Sequence, residues 1–367
     1  MPVVKYTTAP KLVEIENFGS NPGSLRCHLF LPTILPPKAP LIVVLHGCTQ
    51  TAAGFDNGSG WSQLAEEKGI AVLFPEQRRE NNANLCFNWF EPADTRRDCG
   101  EALSIREMIS HIVLSHGLDG QRVFICGLSA GGAMANVMLA TYPEVFAAGA
   151  IIGGLAYGVA SSVGQAFERM KGRNPPSPAF LKSVMEKASP KPARRPRISI
   201  WHGTHDQVVR PINAEQIASQ WVGDISNAAS PDVETMSGYL RKSWHTSYGT
   251  PAVELNLVSG MGHGVPLSSK AVASLGSPGP FMLETGISST ARIARTWGLV
   301  DDAYVSAAES QSGAEARSST NEGIEDVVAK AMELAKAGLA PKRSTAGKAK
   351  AVGDVINDAL RSAGLLR

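Results

Sequence analysis

Ser129 stands at the centre of Gly127-Leu-Ser-Ala-Gly131, which matches the pattern G-x-S-x-G. An apolar run enters this pentapeptide from Val123, and a run of small, helix-compatible residues leaves it. Together they predict a serine on a sharp turn between a buried strand and a helix. The helix would point its N-terminal amides at the turn, where negative charge develops during attack on a carbonyl group. The pattern therefore predicts a nucleophilic serine rather than an ordinary tight turn.

A serine nucleophile needs two partners, because its hydroxyl is unreactive at neutral pH without a base and a carboxylate that orients the base. After a turn of this kind, the acid and then the histidine follow along the chain, each on a loop behind a strand. Asp206 lies in the turn beyond the predicted strand that ends at Trp201, so it is the favoured acid. His263 lies in a glycine-flanked loop directly after the last predicted strand, so it is the favoured base.

Other side chains compete for both roles. The alternative acids lie in polar stretches or inside a strand, and they are Asp224, Asp232 and Glu254. The rival base is His245, which precedes the last predicted strand. The order argument assigns structural roles to five further histidines: His28, His111, His116, His202 and His205.

Two backbone amides are expected to hold the oxyanion of a tetrahedral intermediate. One belongs to Ala130, the residue after the nucleophile, and the other to the loop after an early strand. The apolar strand 41–46 runs into His46-Gly-Cys48, so the amide of Cys48 is the second predicted donor. This chemistry needs no metal or organic cofactor, and the five cysteines include no C-x-x-C pair of the kind that binds zinc.

The elements that must position these residues alternate along residues 24–299. Such alternation indicates an α/β fold with a mostly parallel sheet and helices on both faces. Besides the strand that enters the serine turn, strands are predicted at 24–32, 41–46, 70–74, 147–153, 197–201 and 251–258. Helices are predicted at 61–69, 98–117, 131–140, 213–221 and 287–299. The proline-rich segment 159–197 is predicted to hold at most two short helices, and the polar segment 223–250 shows little pattern.

Composition limits the classes of partner. A chain of 367 residues, 43% of them apolar, can build a large core, and its net charge of +2 gives no reason to expect nucleic acid or a membrane surface as partner. The sequence shows no signal peptide, which predicts a cytoplasmic location. Residues 1–300 are the predicted catalytic domain. Residues 301–367, rich in Ala, Lys and Glu, are a predicted tail, partly disordered, with two marginal helices near 321–338 and 350–364.

Five segments resemble the poly(3-hydroxybutyrate) depolymerase-type esterases, a branch of the α/β-hydrolase fold that includes feruloyl and acetylxylan esterases. The segments are Leu45-His-Gly-Cys-Thr-Gln50, Asn82-Ala-Asn-Leu-Cys-Phe-Asn-Trp-Phe90, Gly127-Leu-Ser-Ala-Gly-Gly-Ala-Met134, Trp201-His-Gly-Thr-His-Asp206 and Gly260-Met-Gly-His263. The resemblance implies a serine carboxylic-ester hydrolase that uses Ser129, Asp206 and His263. It also suggests that Cys48 and Cys86 lie close together and could be joined by a disulfide.

The substrate prediction is a small-molecule or oligomeric ester. No aromatic residue follows Tyr304, and adsorption to a solid polymer would favour exposed aromatics, so short-chain or hydroxyalkanoate oligomeric esters are favoured over solid polymer. Trp89, in the long aromatic loop 76–97, is either a wall of the substrate pocket or simple packing. The alternatives are a feruloyl or acetylxylan-type esterase, a polymer depolymerase and an acyl transferase. A further alternative is a non-catalytic binding protein on the same scaffold. The tail alone could mediate self-association or bind a storage-granule surface.

Overall fold

The computed structural model describes residues 12–190, 195–223, 230–246 and 249–310. These residues form a ten-stranded sheet with helices on both faces and a separate two-stranded sheet. The large sheet contains β1 (Val13–Ile15), β2 (Arg26–Phe30), β3 (Leu41–Leu45), β4 (Ala71–Glu76), β5 (Val123–Leu128), β6 (Ala148–Ile152), β7 (Arg197–Gly203), β8 (Asp232–Met236), β9 (Tyr239–His245) and β10 (Pro251–Val258). The small sheet pairs β11 (Val265–Leu267) with β12 (Met282–Glu284).

The helices lie between and after the strands. They are α1 (Ala52–Ser59), α2 (Trp61–Lys68), α3 (Pro92–Thr95), α4 (Gly100–Ser115), α5 (Ala130–Thr141), α6 (Val163–Met170), α7 (Pro178–Ala188), α8 (Ile212–Val222), α9 (Ser289–Thr296) and α10 (Asp302–Glu309). Every strand and helix predicted within residues 24–299 is confirmed, including two short helices in the proline-rich segment. No helix in the described part of the chain is both long and apolar enough to cross a bilayer.

The large sheet has the strand order β1-β2-β4-β3-β5-β6-β7-β10-β9-β8. The six strands from β4 to β10 run parallel, whereas the pairs at the two edges are antiparallel. The mostly parallel α/β sheet is therefore confirmed. Because parallel strands end at the same side of a sheet, the loops after β3, β5, β7 and β10 meet at one edge.

Two hydrophobic cores lie on opposite faces of the sheet. Along β3, Leu41, Val43 and Leu45 belong to one core, while Ile42 and Val44 belong to the other. This follows from the two-residue period of a strand, and it explains why the strand is apolar at every position. Helices α4, α5 and α8 cover the first face, and helices α1, α2 and α9 cover the second.

The hairpin of β8 and β9 was missed because charged and polar side chains interrupt its apolar ones. Arg241 pairs with Glu234 across the hairpin, and Lys242 Nζ lies 2.7 Å from Glu215 Oε1 of α8. Such a strand pair at a sheet edge carries no apolar alternation from which a sequence pattern could be recognised.

Helix α10 packs on α9. Arg292 holds Glu309 with two hydrogen bonds of 2.6 Å, and Val305 and Ala308 are buried in the second core. The two helices predicted near 321–338 and 350–364 lie outside the described residues, and the predicted domain boundary at residue 300 stays a prediction.

Candidate active site

Ser129 occupies a strained turn between β5 and α5. Its φ of 56° and ψ of −117° are unusual for a residue with a side chain, and its amide donates a hydrogen bond of 2.9 Å to the carbonyl of Ile152. The neighbouring glycines make this turn possible. A Cβ on Gly127 would lie 2.3 Å from the carbonyl oxygen of Gly131, so strand and helix could not approach each other with a larger residue there. The predicted serine turn is confirmed, and Ser129 is more exposed than its buried neighbours.

Asp206 and His263 form a buried hydrogen-bonded pair. His263 Nδ1 lies 2.7 Å from Asp206 Oδ2, and the two residues are 5% and 1% exposed. The loops that carry them are joined, because the His205 amide donates to the Met261 carbonyl at 3.0 Å. The loops after β7 and β10 therefore hold the carboxylate and the imidazole at hydrogen-bonding distance.

The surroundings of Asp206 keep it ionised. Burial alone would raise the pKa of its carboxyl group, but the charge and hydrogen bonds of His263 and His202 outweigh burial and hold the pKa well below its usual range. The other oxygen, Oδ1, accepts hydrogen bonds from the amides of Val208 at 2.9 Å and Val209 at 2.8 Å. The carboxylate is thus a fixed negative charge beside an imidazole that can accept a proton.

Gly153 links this pair to the serine turn. It follows Ile152, the residue whose carbonyl accepts the Ser129 amide, and it faces the imidazole. A Cβ on Gly153 would lie 3.1 Å from His263 Cε1 and 3.8 Å from Asp206 Oδ2. The structure therefore gathers Ser129, Asp206 and His263 at one edge of the sheet, and their catalytic roles stay predictions.

The segment from His46 to Cys48 lies beside the serine turn. A Cβ on Gly131 would stand 2.4 Å from the carbonyl oxygens of both Leu45 and His46, which shows how closely α5 passes this segment. Within the described residues, no acceptor pairs with the amides of Cys48 and Ala130. Both N–H groups are thus available to a ligand, as the predicted oxyanion role requires.

His46 fixes the turn that presents Cys48. Its Nε2 accepts a hydrogen bond from the Gln77 amide at 3.1 Å, so Nδ1 carries the proton and donates to the Gly47 carbonyl at 2.7 Å. Burial lowers the pKa of His46, which keeps the imidazole neutral and able to make both bonds.

A disulfide joins Cys48 to Cys86, whose Cα atoms lie 4.2 Å apart. A hydrogen bond of 2.7 Å from the Thr49 amide to the Asn84 carbonyl reinforces the same connection. The loop 76–97 is therefore attached to the candidate oxyanion segment, in agreement with the pairing that the family resemblance suggested.

Glu101 supports this loop from the first turn of α4, and sequence reasoning missed it. Its buried carboxyl group accepts hydrogen bonds from the Asn88 amide at 2.9 Å and from Gln77 Nε2 at 2.5 Å. Burial, and secondarily the charge of Asp94, raises its pKa to about 8. No sequence pattern could have revealed this role. A glutamate in the first turn of a helix is usually exposed, where its negative charge interacts favourably with the helix dipole.

Two aromatic residues differ in how near they lie to the imidazole of His263: Trp89 is packed in a hydrophobic core, whereas Phe281 contacts the imidazole. Trp89 is buried in the first core and contacts Phe90 edge to face, so packing accounts for its position and its substrate role stays a prediction. Phe281, which sequence reasoning missed, lies edge-on to the His263 ring with 6.0 Å between ring centres. Its φ of 63° is unusual for a bulky residue, and such strain often accompanies functional sites.

The rival residues lie elsewhere. His245 pairs with Pro251 at the start of β10, whereas His263 follows the end of that strand, about 23 Å further along. Asp232 lies beside His245, with 3.4 Å between carboxylate and imidazole. Glu254 lies within β10 opposite Ser199, and Asp224 is outside the described residues. In the described part of the chain, no group of three or more His, Cys, Asp or Glu is placed to hold a metal ion.

The arrangement agrees with comparisons to known proteins. The family model described as "Esterase PHB depolymerase" matches residues 26–229. This chain belongs to that family. It is 40% identical over 300 residues to poly(3-hydroxyalkanoate) depolymerase C from Paucimonas lemoignei, covering 81% of this chain and 72% of that protein.

Two acetylxylan esterases are also similar to this family member. Acetylxylan esterase A from Aspergillus oryzae is 30% identical over 266 residues, which cover 71% of this chain and 86% of that one. The solved acetyl xylan esterase from Aspergillus awamori covers 79% of this chain and 100% of its own, with a TM-score of 0.67 and 24% identity, so it supports the fold. The predicted α/β-hydrolase fold is confirmed, and the chain is a carboxylic-ester hydrolase.

Proposed function

We propose that this esterase hydrolyses short-chain or hydroxyalkanoate oligomeric esters through an acyl-enzyme on Ser129. The observation that carries the proposal is the buried 2.7 Å hydrogen bond from His263 to Asp206, beside the strained serine turn. The choice of hydroxyalkanoate esters is supported by the higher identity to poly(3-hydroxyalkanoate) depolymerase C, 40% against 30% for acetylxylan esterase A.

The proposed reaction begins with attack of Ser129 Oγ on the ester carbonyl carbon. Because Nδ1 of His263 is engaged by Asp206, Nε2 takes the serine proton. The amides of Cys48 and Ala130 donate hydrogen bonds to the oxygen that becomes negative, and loss of one such donor costs about 3–4 kcal/mol of transition-state stabilisation in comparable sites. The imidazolium then returns the proton to the alcohol oxygen as the carbon–oxygen bond breaks. Water repeats the sequence on the acyl-enzyme and releases the acid.

A panel of esters tests both the reaction and the substrate class. Wild type, Ser129→Ala and the exposed control Ser115→Ala are assayed with p-nitrophenyl butyrate, 3-hydroxybutyrate trimer, acetylated xylo-oligosaccharide and methyl ferulate. We expect the trimer to give the highest kcat/KM, the control to match wild type and Ser129→Ala to lose about 10⁶ in kcat. Preference for the acetylated or feruloylated substrate would contradict the proposed substrate class.

Free-acid release separates hydrolysis from acyl transfer. Hydrolysis yields one acid for each ester consumed, whereas transfer to another alcohol yields less acid than ester lost. Equal turnover by Ser129→Ala and wild type would exclude this serine as the nucleophile and would leave the non-catalytic alternative open for this site.

A further inference from the structure

His202 lies near the end of β7, directly behind the proposed acid. Its side chain is fully buried, and its Nε2 lies 2.7 Å from the Val209 carbonyl and 3.3 Å from Asp206 Oδ2. Both neighbours are acceptors only, so Nε2 must carry a proton and donate it. The sequence order had assigned this histidine a structural role alone.

Four N–H groups lie against the carboxylate of Asp206: three donate hydrogen bonds to it, and that of His202, which donates to the Val209 carbonyl, lies 3.3 Å from Oδ2. Oδ1 accepts the amides of Val208 and Val209, while Oδ2 faces the imidazole nitrogens of His263 and His202. A carboxylate offers about four lone-pair positions, so each donor restricts rotation of the group. The two amides belong to the backbone, so among the described residues His202 is the side chain that contacts Oδ2 together with His263.

We propose that His202 is a positioning residue for ester hydrolysis, whose Nε2–H holds the Asp206 carboxylate in the orientation that receives His263. The role rests on the proposed function of Ser129, Asp206 and His263. His202 is buried behind the carboxylate and does not contact the substrate. Its loss therefore lowers kcat and leaves KM nearly unchanged.

The second consequence concerns the pH dependence of the rate. Among the described residues, the titratable groups that lie against Asp206 are His202 at 3.3 Å and His263 at 2.7 Å. Without the His202 donor, more of the carboxylate's charge acts on His263, and the imidazolium form becomes more stable. Since that form cannot accept the serine proton, the midpoint of the acid limb of kcat/KM moves to higher pH. A residue that only filled space would not move this midpoint.

Two substitutions separate the donor from the space that the ring fills. His202→Met removes the N–H at similar length, whereas His202→Gln places an amide N–H near the position of Nε2. His205→Gln is the matched control, because His205 is exposed on the same loop and its ring lies within hydrogen-bonding distance of the Thr204 hydroxyl, at 3.2 Å. All are assayed with p-nitrophenyl butyrate from pH 5 to 9 beside Ser129→Ala, with circular dichroism as the check on folding.

We expect His202→Met to lose about tenfold to a hundredfold in kcat, with KM within about twofold and an acid limb shifted upward. His202→Gln should restore most of the rate, and His205→Gln should match wild type. A folded His202→Met with an unmoved or lowered acid limb overturns the proposal.

Failure of a variant to fold also decides between the two roles of His202. If His202→Met does not fold, His202→Asn takes its place, because the shorter amide does not reach the position of Nε2. If neither folds, His202 serves the fold and the positioning role is overturned. These outcomes differ from failure of the proposed function, in which Ser129→Ala itself stays active.

Discussion

Asp206, the proposed catalytic acid, is a buried carboxylate that its surroundings keep charged. Removal of a carboxylate from water is costly unless hydrogen bonds replace its hydration. Here two backbone amides and the His263 imidazole donate hydrogen bonds to Asp206, and the His202 Nε2–H lies 3.3 Å from Oδ2. The low pKa of the group means that it stays charged when a neighbouring imidazole accepts a proton. The pair can therefore stabilise an imidazolium without transfer of the proton to the carboxylate.

Replacement of Asp206 by asparagine tests this directly. An amide oxygen accepts a hydrogen bond from His263 Nδ1 more weakly than a carboxylate oxygen does. An amide NH2 in that position instead favours the tautomer of His263 that is protonated on Nε2 and cannot take the serine proton. We expect Asp206→Asn to lose about 10⁴ in kcat with a folded protein. Asp232→Asn, at the other end of the sheet, is the matched control and should retain wild-type rates. A small loss in Asp206→Asn, or an equal loss in both, would contradict the assignment.

At the scale of elements, the loop 76–97 is held in place by one buried carboxyl group and one disulfide. Glu101 binds Gln77 and the Asn88 amide, and the Gln77 amide in turn binds His46. A continuous set of hydrogen bonds therefore runs from α4 to the segment that presents Cys48. The position of Cys48, the proposed oxyanion donor, therefore depends on a residue of a distant helix.

Glu101 makes stability depend on pH. Its pKa is raised from 4.5 to about 8 on folding, so the folded chain binds the proton more tightly than the unfolded chain. The resulting stabilisation is complete below about pH 4.5 and is lost as the pH rises through 8. We expect the free energy of unfolding of wild type, measured with urea, to fall across this range relative to that of Glu101→Gln. The variant itself should be less stable by about 1–3 kcal/mol at pH 5, because one of the two donors facing the carboxyl loses its acceptor.

Glu80→Gln supplies the control for that experiment, since Glu80 is exposed in the same loop and carries the same charge. The free energy of unfolding of Glu80→Gln should keep the pH dependence of wild type. Parallel curves for wild type and Glu101→Gln would show that the carboxyl group does not titrate in this way.

The contact between α5 and the candidate oxyanion segment, His46 to Cys48, predicts a strong effect of one added methyl group. Gly131→Ala places a Cβ 2.4 Å from two backbone oxygens, so the helix must move, at a cost of roughly 1–3 kcal/mol and with a lower kcat. The added Cβ of Gly164→Ala in α6 meets no atom of the described residues outside its own turn of helix within 4 Å, so this variant should be more stable by about 0.4–1 kcal/mol. Thermal unfolding and ester hydrolysis measure both, and equal behaviour of the two variants would contradict the close contact.

At the scale of the whole molecule, the parallel sheet explains which residues could be located from sequence. Loops after parallel strands share one edge, so chain order and strand ends were sufficient to favour Asp206 and His263 over His245. His202 and Phe281 could not be found in this way, because their contacts depend on side-chain direction and on a strained backbone. The β8–β9 hairpin could not be predicted because charged and polar residues interrupt its apolar ones, so no alternation marks the two strands.

The disulfide between Cys48 and Cys86 is expected to stabilise the whole molecule. It closes a loop between cysteines 38 positions apart, so the double variant Cys48→Ser/Cys86→Ser should lose about 4 kcal/mol of unfolding free energy and part of kcat. Cys99→Ser, at an unpaired cysteine, is the control. Unchanged stability of the double variant would contradict the bond. The cytoplasmic location stays a prediction. The disulfide favours an oxidising compartment instead, because disulfides persist mainly there.

The most direct test of the account is the site of covalent modification by an active-site phosphorylating ester. The chain is incubated with diethyl p-nitrophenyl phosphate, digested and mapped by mass spectrometry while residual activity is followed. We expect a stoichiometric adduct on Ser129, loss of activity in proportion to it, and slow labelling in His263→Ala. Full activity with Ser129 modified, or inactivation with the adduct on another residue, would contradict the central claim.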